Sequence, residues 1–191
     1  MPSKVIGKYH GRYTLRRVGS TMVVQVQLGN EQVASLRSGC KGMDSLLGWL
    51  EDLNQRPGLE ELEERLQSAP IAVEHLESCV GYADHGYQRN IVQKTEHYEI
   101  VIICWKPGQM TRIHDHKGSD CAFKIVTGTA SETVFQIEDG VPVESEAREY
   151  LPGEVCASAE ADIHRVNNNG EGSLINLHIY TPPLKGYNVY D

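Results

Sequence analysis

Two histidines one residue apart, His114 and His116, stand in the stretch TRIHDHKGSDCAFKIVTG, with Cys121 five positions after the second. Imidazole is the commonest metal-binding side chain, and residues i and i+2 of an extended strand face the same way, so an HxH pair can chelate one ion. Taken alone the pair is equally the mark of ordinary core or surface histidines. His164, in DIHRVNN, offers a third imidazole from a later segment. Such a set accepts iron, zinc, nickel or manganese, so the ligand type leaves the metal open. Arg89, in YQRN, carries a planar guanidinium that can pair bidentately with a carboxylate, though an arginine at a strand start is more often a surface residue. Tyr87 precedes it by two residues and reads as a pocket wall or as a packed aromatic. His178 and Tyr180, in LHIYTPP, again share a strand face.

These groups need a scaffold of short strands. From about residue 88 the chain runs IVQKTEHYEIVIICW, CAFKIVTG, ASETVFQI, a turn at Asp139-Gly140, then AREYLP, EVCASA, DIHRVN and SLINLHIYTPP, the texture of a β-sandwich or barrel. Ahead of it, DSLLGWLEDL carries a stripe of Leu46, Leu47, Leu50 and Leu53 behind Asp44 as a cap; PGLEELEERLQ carries Leu59, Leu62 and Leu66; and PIAVEHLESCV carries Ala72, Leu76, Cys79 and Val80, with Pro70 suited to a first turn. These are core-facing helix stripes. Residues 12–37 alternate Val and Gln and contain Gly29-Asn30, which predicts a hairpin turn there.

The chain of 191 residues, 40% of them hydrophobic, suits one domain with an N-terminal appendage. A formal net charge of −8 excludes a phosphate-neutralising surface, so no nucleic-acid partner is expected. No apolar run reaches membrane-spanning length and the opening residues lack a secretory segment, which predicts a cytoplasmic protein without a membrane partner. Five cysteines at 40, 79, 104, 121 and 156, without CxxC pairs, read as reduced thiols.

The wider spacing carries more than the HxH pair. Gly108, His114, His116, Cys121 and Gly128, followed by Pro152-Gly153, His164 and Asn168, resemble the two metal-binding motifs of the cupin superfamily, small β-barrels that usually hold a divalent metal through three histidines and a glutamate. Cys121 stands at the glutamate position. Together with HGYQRNIV (85–92), EIVIICWKPG (99–108), IHDHKGSDC (113–121), IHRVNN (163–168) and LHIYTPPL (177–184), the pattern is similar to cysteine dioxygenase and its thiol dioxygenase relatives over the C-terminal two thirds of the chain. The fold class expected is mainly β: a cupin-type β-barrel or sandwich with a few N-terminal helices and an N-terminal β-hairpin extension. The extension is assigned to 1–40, with no counterpart in the family, and the cupin domain to 41–191, its helices at about 43–80 and its barrel at about 88–191.

The resemblance implies Fe(II) held by His114, His116 and His164, with L-cysteine binding through thiolate and amine. O2 is the second substrate, and both its oxygen atoms pass to sulfur to give cysteine sulfinate. Arg89 matches the residue that holds the substrate carboxylate and favours cysteine over 3-mercaptopropionate; Tyr87 matches a pocket tyrosine. Tyr180 matches the active-site tyrosine and His178 the histidine that orients it. Where many relatives have a serine completing a proton relay, this chain has Asn176, which cannot pass a proton as a hydroxyl does. Cys121 and Tyr180 occupy the positions of a thioether crosslink, the plain alternative being a reduced buried thiol. Two rivals remain open: a dioxygenase of another small carboxylate-bearing thiol, and a non-oxidising metal-binding cupin. The expected assembly is a monomer or weak homo-oligomer.

Overall fold

The computed structural model describes residues 12–18 and 21–190. The first eleven residues of the expected 1–40 extension lie outside the described residues. Two strands, β1 (Arg12–Val18) and β2 (Thr21–Gln27), pair antiparallel, so a hairpin exists, but both its strands precede Gly29-Asn30 instead of flanking it. Gly29 caps a helix, α1 (Asn30–Gly39), its N–H donating to Gln32 Oε1 at 3.0 Å. The segment EQVASLR thus satisfies the helix start locally and overrides the turn signal. Next come α2 (Lys41–Glu51) and α3 (Leu59–Ser68). Asp44 falls inside the first turn of α2 rather than capping it, and its carboxylate accepts from Arg37 Nε at 2.9 Å. The third stripe forms a 3-10 helix, Val73–Cys79, which begins after Pro70 and buries Leu76 and Cys79.

The rest is strand: β3 (Gln88–Lys94), β4 (Glu99–Trp105), β5 (Ile113–His114), β6 (Asp120–Thr127), β7 (Ala130–Glu138), β8 (Val141–Tyr150), β9 (Val155–Ser158), β10 (Ile163–Asn167), β11 (Leu174–Thr181) and β12 (Val189–Tyr190). They form a seven-stranded sheet, ordered β1-β2-β3-β4-β11-β6-β9, and a five-stranded sheet, ordered β12-β5-β10-β7-β8. Among the described residues, all strand pairings are antiparallel except β2 on β3. This is the expected cupin-like sandwich with helices before it. Asp139 and Gly140 turn β7 into β8, both with positive φ, 50° and 81°, as a two-residue hairpin with right-handed strand twist requires.

The large sheet is buried on both sides, and strand alternation divides the labour. Ile100, Ile102, Cys104, Leu177 and Ile179 face the helices and pack with Leu47, Leu62, Leu66 and Leu76 in one core. Val101, Ile103, Cys121, Phe123 and Tyr180 face the other way, toward the second sheet. Each fully buried Leu or Ile stabilises by about 1.5–3 kcal/mol, so the helical face anchors the sheet. Lys124 pins α3 to it: its Nζ donates to the carbonyls of Leu66, Gln67 and Ala69 at the end of the helix.

Candidate metal centre

His114 ends the two-residue β5, whereas His116 lies in the loop that follows, so the pair does not share a strand face as the spacing suggested. The convergence comes from across the sheet: His164 on β10 pairs directly with His114. One ligand atom from each of His114, His116 and His164 lies within 4.8 Å of the others, and His116 and His164 approach Nε2 to Nε2 at 3.2 Å. Hydrogen bonding assigns the tautomers. His114 Nδ1 is 2.9 Å from the Arg112 carbonyl and must donate to it, leaving the lone pair on Nε2. His164 Nδ1 is 2.6 Å from Glu132 Oε1 and likewise donates, so its Nε2 lone pair points at His116. Loss of water pushes the His114 pKa down to about 3, with His164 adding to the shift, and the same causes hold His116 well below the imidazole range. Three converging imidazole nitrogens are the donor set a divalent transition metal takes. The residues therefore fit such an ion.

Glu132 escaped the sequence reading. It is 2% exposed on β7, and its second oxygen accepts from Tyr150 Oη at 3.1 Å and Cys156 Sγ at 3.4 Å. Burial opposes its charge, but the hydrogen bond to His164 and the nearby donors hold the carboxyl below its usual pKa. The ligand set lacks a carboxylate, and one is supplied through an imidazole instead. Residue type alone does not separate the buried Glu132 from the exposed acids of the neighbouring β8, whose extra residue Ser145 shifts the register of the pair.

The pocket over the histidines is lined by Tyr87, Arg89, Cys121, His178 and Tyr180, all singled out by the motifs. Tyr180 stands opposite Cys121 on adjacent strands. Its hydroxyl is 3.3 Å from His178 Nδ1, and Cys121 Sγ is 3.7 Å from the same nitrogen. Burial holds the Tyr180 and Cys121 groups well above their usual pKa values and His178 well below its own, so all three are neutral. Asn176 Oδ1 accepts from Trp105 Nε1 at 2.9 Å. Asn176 Nδ2 and His178 Nε2 are buried without a hydrogen-bond partner among the described residues. Tyr87, just before β3, stacks on Trp105 with ring centres 4.3 Å apart, and burial pushes its pKa up to about 12.

Two further walls come from segments outside the motifs, tied in by contacts that spacing does not reveal. Asp115, between the two histidines, accepts from Asn188 N, Asn188 Nδ2 and Tyr190 Oη at 2.8, 2.7 and 2.8 Å, tying the C-terminal strand over the site. This brings Tyr187 to 5.6 Å from the His114 ring. From the other end of the chain, β2 adds Val23 and Gln25 to the pocket wall, with Gln25 in register with Arg89.

A family model described as Cysteine dioxygenase type I matches residues 68–191. Cysteine dioxygenase type 1 of Rattus norvegicus is 31% identical over 116 residues, 58% of this chain and 58% of that protein. The Danio rerio protein of the same name is 24% identical over 160 residues, covering 78% of this chain and 79% of its own. The match thus spans 58% of the length of the rat relative, short of two thirds. A crystal structure of an uncharacterized conserved protein with a double-stranded beta-helix domain from Klebsiella pneumoniae superposes with a TM-score of 0.52 at 17% identity, over 72% of this chain and 98% of that one, a likeness of fold alone. No helix among the described residues is long and apolar enough to cross a membrane.

Proposed function

Since the chain belongs to the cysteine dioxygenase type I family, we propose that it is an iron-dependent thiol dioxygenase that converts L-cysteine and O2 to cysteine sulfinate. The observation that carries this reading is the meeting, in one pocket, of three converging imidazoles with Arg89 and Tyr180. His114, His116 and His164 would hold the metal through Nε2. Bound there, Fe(II) would acidify the thiol and bring it together with O2.

The protein groups account for the rest. Arg89, whose Nε is buried without a partner among the described residues, holds the substrate carboxylate. Burial opposes its charge, but Tyr180, Glu99 and Tyr87 keep its pKa above the usual value, so it stays a guanidinium. Tyr87 keeps its proton and supports the carboxylate end. Tyr180, also a neutral phenol, donates toward the reacting atoms or to His178 Nδ1, which orients it. With Asn176 Oδ1 occupied by Trp105, the path for a proton ends at His178. Trp105 and Tyr87 shield this side of the pocket from water.

The cross-strand pairing of Cys121 and Tyr180 supports a thioether between them. Its formation would break the Cys121 S–H bond and a ring C–H bond of Tyr180 beside the hydroxyl, and the two electrons and two protons released would reduce one O2 to hydrogen peroxide. The buried free cysteines are consistent with a reducing, cytoplasmic setting.

The test is oxygen uptake by the iron-loaded protein across L-cysteine, 3-mercaptopropionate and cysteamine, with metal content measured in the same sample. Uptake should be greatest with cysteine and should yield sulfinate; no thiol-dependent uptake with full iron loading would dismiss the reading. Peptide mapping after turnover should recover Cys121 and Tyr180 in one linked peptide.

A further inference from the structure

Arg89 enters the pocket already partnered. Its Nη2 donates to Glu99 Oε1 at 3.0 Å, and the two side chains are 8% and 1% exposed. Glu99 Oε2 accepts from Lys94 Nζ at 2.9 Å, and the lysine side chain is 43% exposed. All three residues line the pocket. The row Lys94, Glu99, Arg89 therefore carries charges of plus, minus and plus, with the carboxylate at its dry centre.

A bulge builds this row. Arg89 pairs with Ile103 and Lys94 with Glu99, and the register shifts between Ile91 and Gln93. Residues 89 and 94 are an odd number apart, so an unbroken strand would send them to opposite faces. Glu99 is also in register with Tyr180 on β11, and the Arg89 guanidinium carbon lies 5.3 Å from the centre of the Tyr180 ring. The guanidinium is thus fixed by a carboxylate on one side and an aromatic ring on the other. Two cations around one anion leave a single positive charge, the complement of one carboxylate. Without Glu99, an uncompensated arginine would stand in a poorly solvated site beside a second cation, an arrangement suited to a ligand with two acidic groups.

We propose that Glu99 is the specificity-determining and positioning residue of the Arg89 subsite: it holds the guanidinium plane and restricts the pocket to thiols bearing one carboxylate, rejecting dicarboxylates. The proposal rests on the reading of Arg89 as the carboxylate holder.

Propionate and succinate are suitable probes, titrated calorimetrically into the metal-loaded protein without thiol. Wild type should bind propionate more tightly than succinate. Glu99→Gln keeps an acceptor for Arg89 Nη2 but removes the charge, so succinate affinity should rise about tenfold while propionate changes by less than about twofold. Glu99→Ala removes the anchor as well and should weaken propionate about tenfold. Lys94→Met, at a part-exposed position that tolerates change, lowers the positive charge and should weaken succinate instead. The proposal fails if wild type binds no propionate, or if Glu99→Gln leaves the succinate-to-propionate ratio unchanged. It also fails if Glu99→Gln and Lys94→Met move succinate affinity in the same direction. A Glu99 variant that does not fold leaves the sign of the Lys94→Met shift to decide. Neither probe is oxidised, so absence of thiol-dependent oxygen uptake would remove the dioxygenase reading without touching this titration. An unchanged ratio would remove the role of Glu99 and leave the activity intact.

Discussion

The two faces of the seven-stranded sheet differ by one residue of phase, yet they obey different rules. Toward the helices, β4 and β11 present Ile100, Ile102, Leu177 and Ile179, each 0% exposed and surrounded by aliphatic neighbours. Toward the second sheet the same strands present Glu99, Asn176, His178 and Tyr180, polar groups buried almost as deeply. Two of these leave an atom unpaired among the described residues, Asn176 Nδ2 and His178 Nε2. Unpaired buried polar atoms cost stability, and a protein retains them where a ligand will use them. The helical face therefore supplies the stability that lets the inner face be polar and dry.

Substitutions on the two faces should separate along this line. His116→Ala should abolish stoichiometric metal uptake, measured by elemental analysis, while the metal-free protein keeps its fold by circular dichroism; retained stoichiometric uptake would remove this residue from the ligand set. Ile102→Ala, on the opposite face, should cost about 2–5 kcal/mol in denaturant unfolding and leave metal bound per folded molecule unchanged. Glu132→Gln should weaken metal binding about 10- to 100-fold in chelator competition, because His164 loses its charged acceptor. Tyr180→Phe should shift stability by less than about 1 kcal/mol, since it deletes only a hydroxyl with one hydrogen bond at 3.3 Å, while lowering thiol-dependent oxygen uptake. A large loss of stability there would blur the distinction between the faces.

The smallest effect should be at the edge of the site. Burial opposes the charge of Asp115, but its bonds to Asn188 and Tyr190 hold its pKa below the usual value of 3.8. A depressed folded pKa contributes stability that is present above the unfolded value and lost as pH falls through the folded one. The backbone amide of Asn188, which donates to Asp115, should therefore lose protection, measured against the intrinsic exchange rate at each pH, only below about pH 4. Loss of that protection already near neutral pH would mean that Asp115 does not hold this strand.

Periodicity and punctuation were enough for most local elements. The Leu stripes of α2 and α3, the Asp139-Gly140 turn and the short strands after residue 88 follow from residue types a few positions apart. The three histidines, Arg89, Cys121 and Tyr180 were also legible, because their residue types and spacing carry the resemblance and the fold then gathers them. The misplaced turn at Gly29-Asn30 has a local cause: a turn dipeptide and a helix cap use the same residues, and Gln32 selects the cap.

The order of residue types dictates the chemistry available: imidazoles for a metal, a guanidinium for a carboxylate, a phenol and a thiol beside them. Which charges meet is settled by packing in three dimensions. Glu132 reaches His164 from another strand, Glu99 meets Arg89 and Lys94 through a register shift, and β2 closes the wall from outside the matched segment. Bulges and strand order set these contacts, and both depend on packing between residues far apart in the chain, which no local pattern encodes.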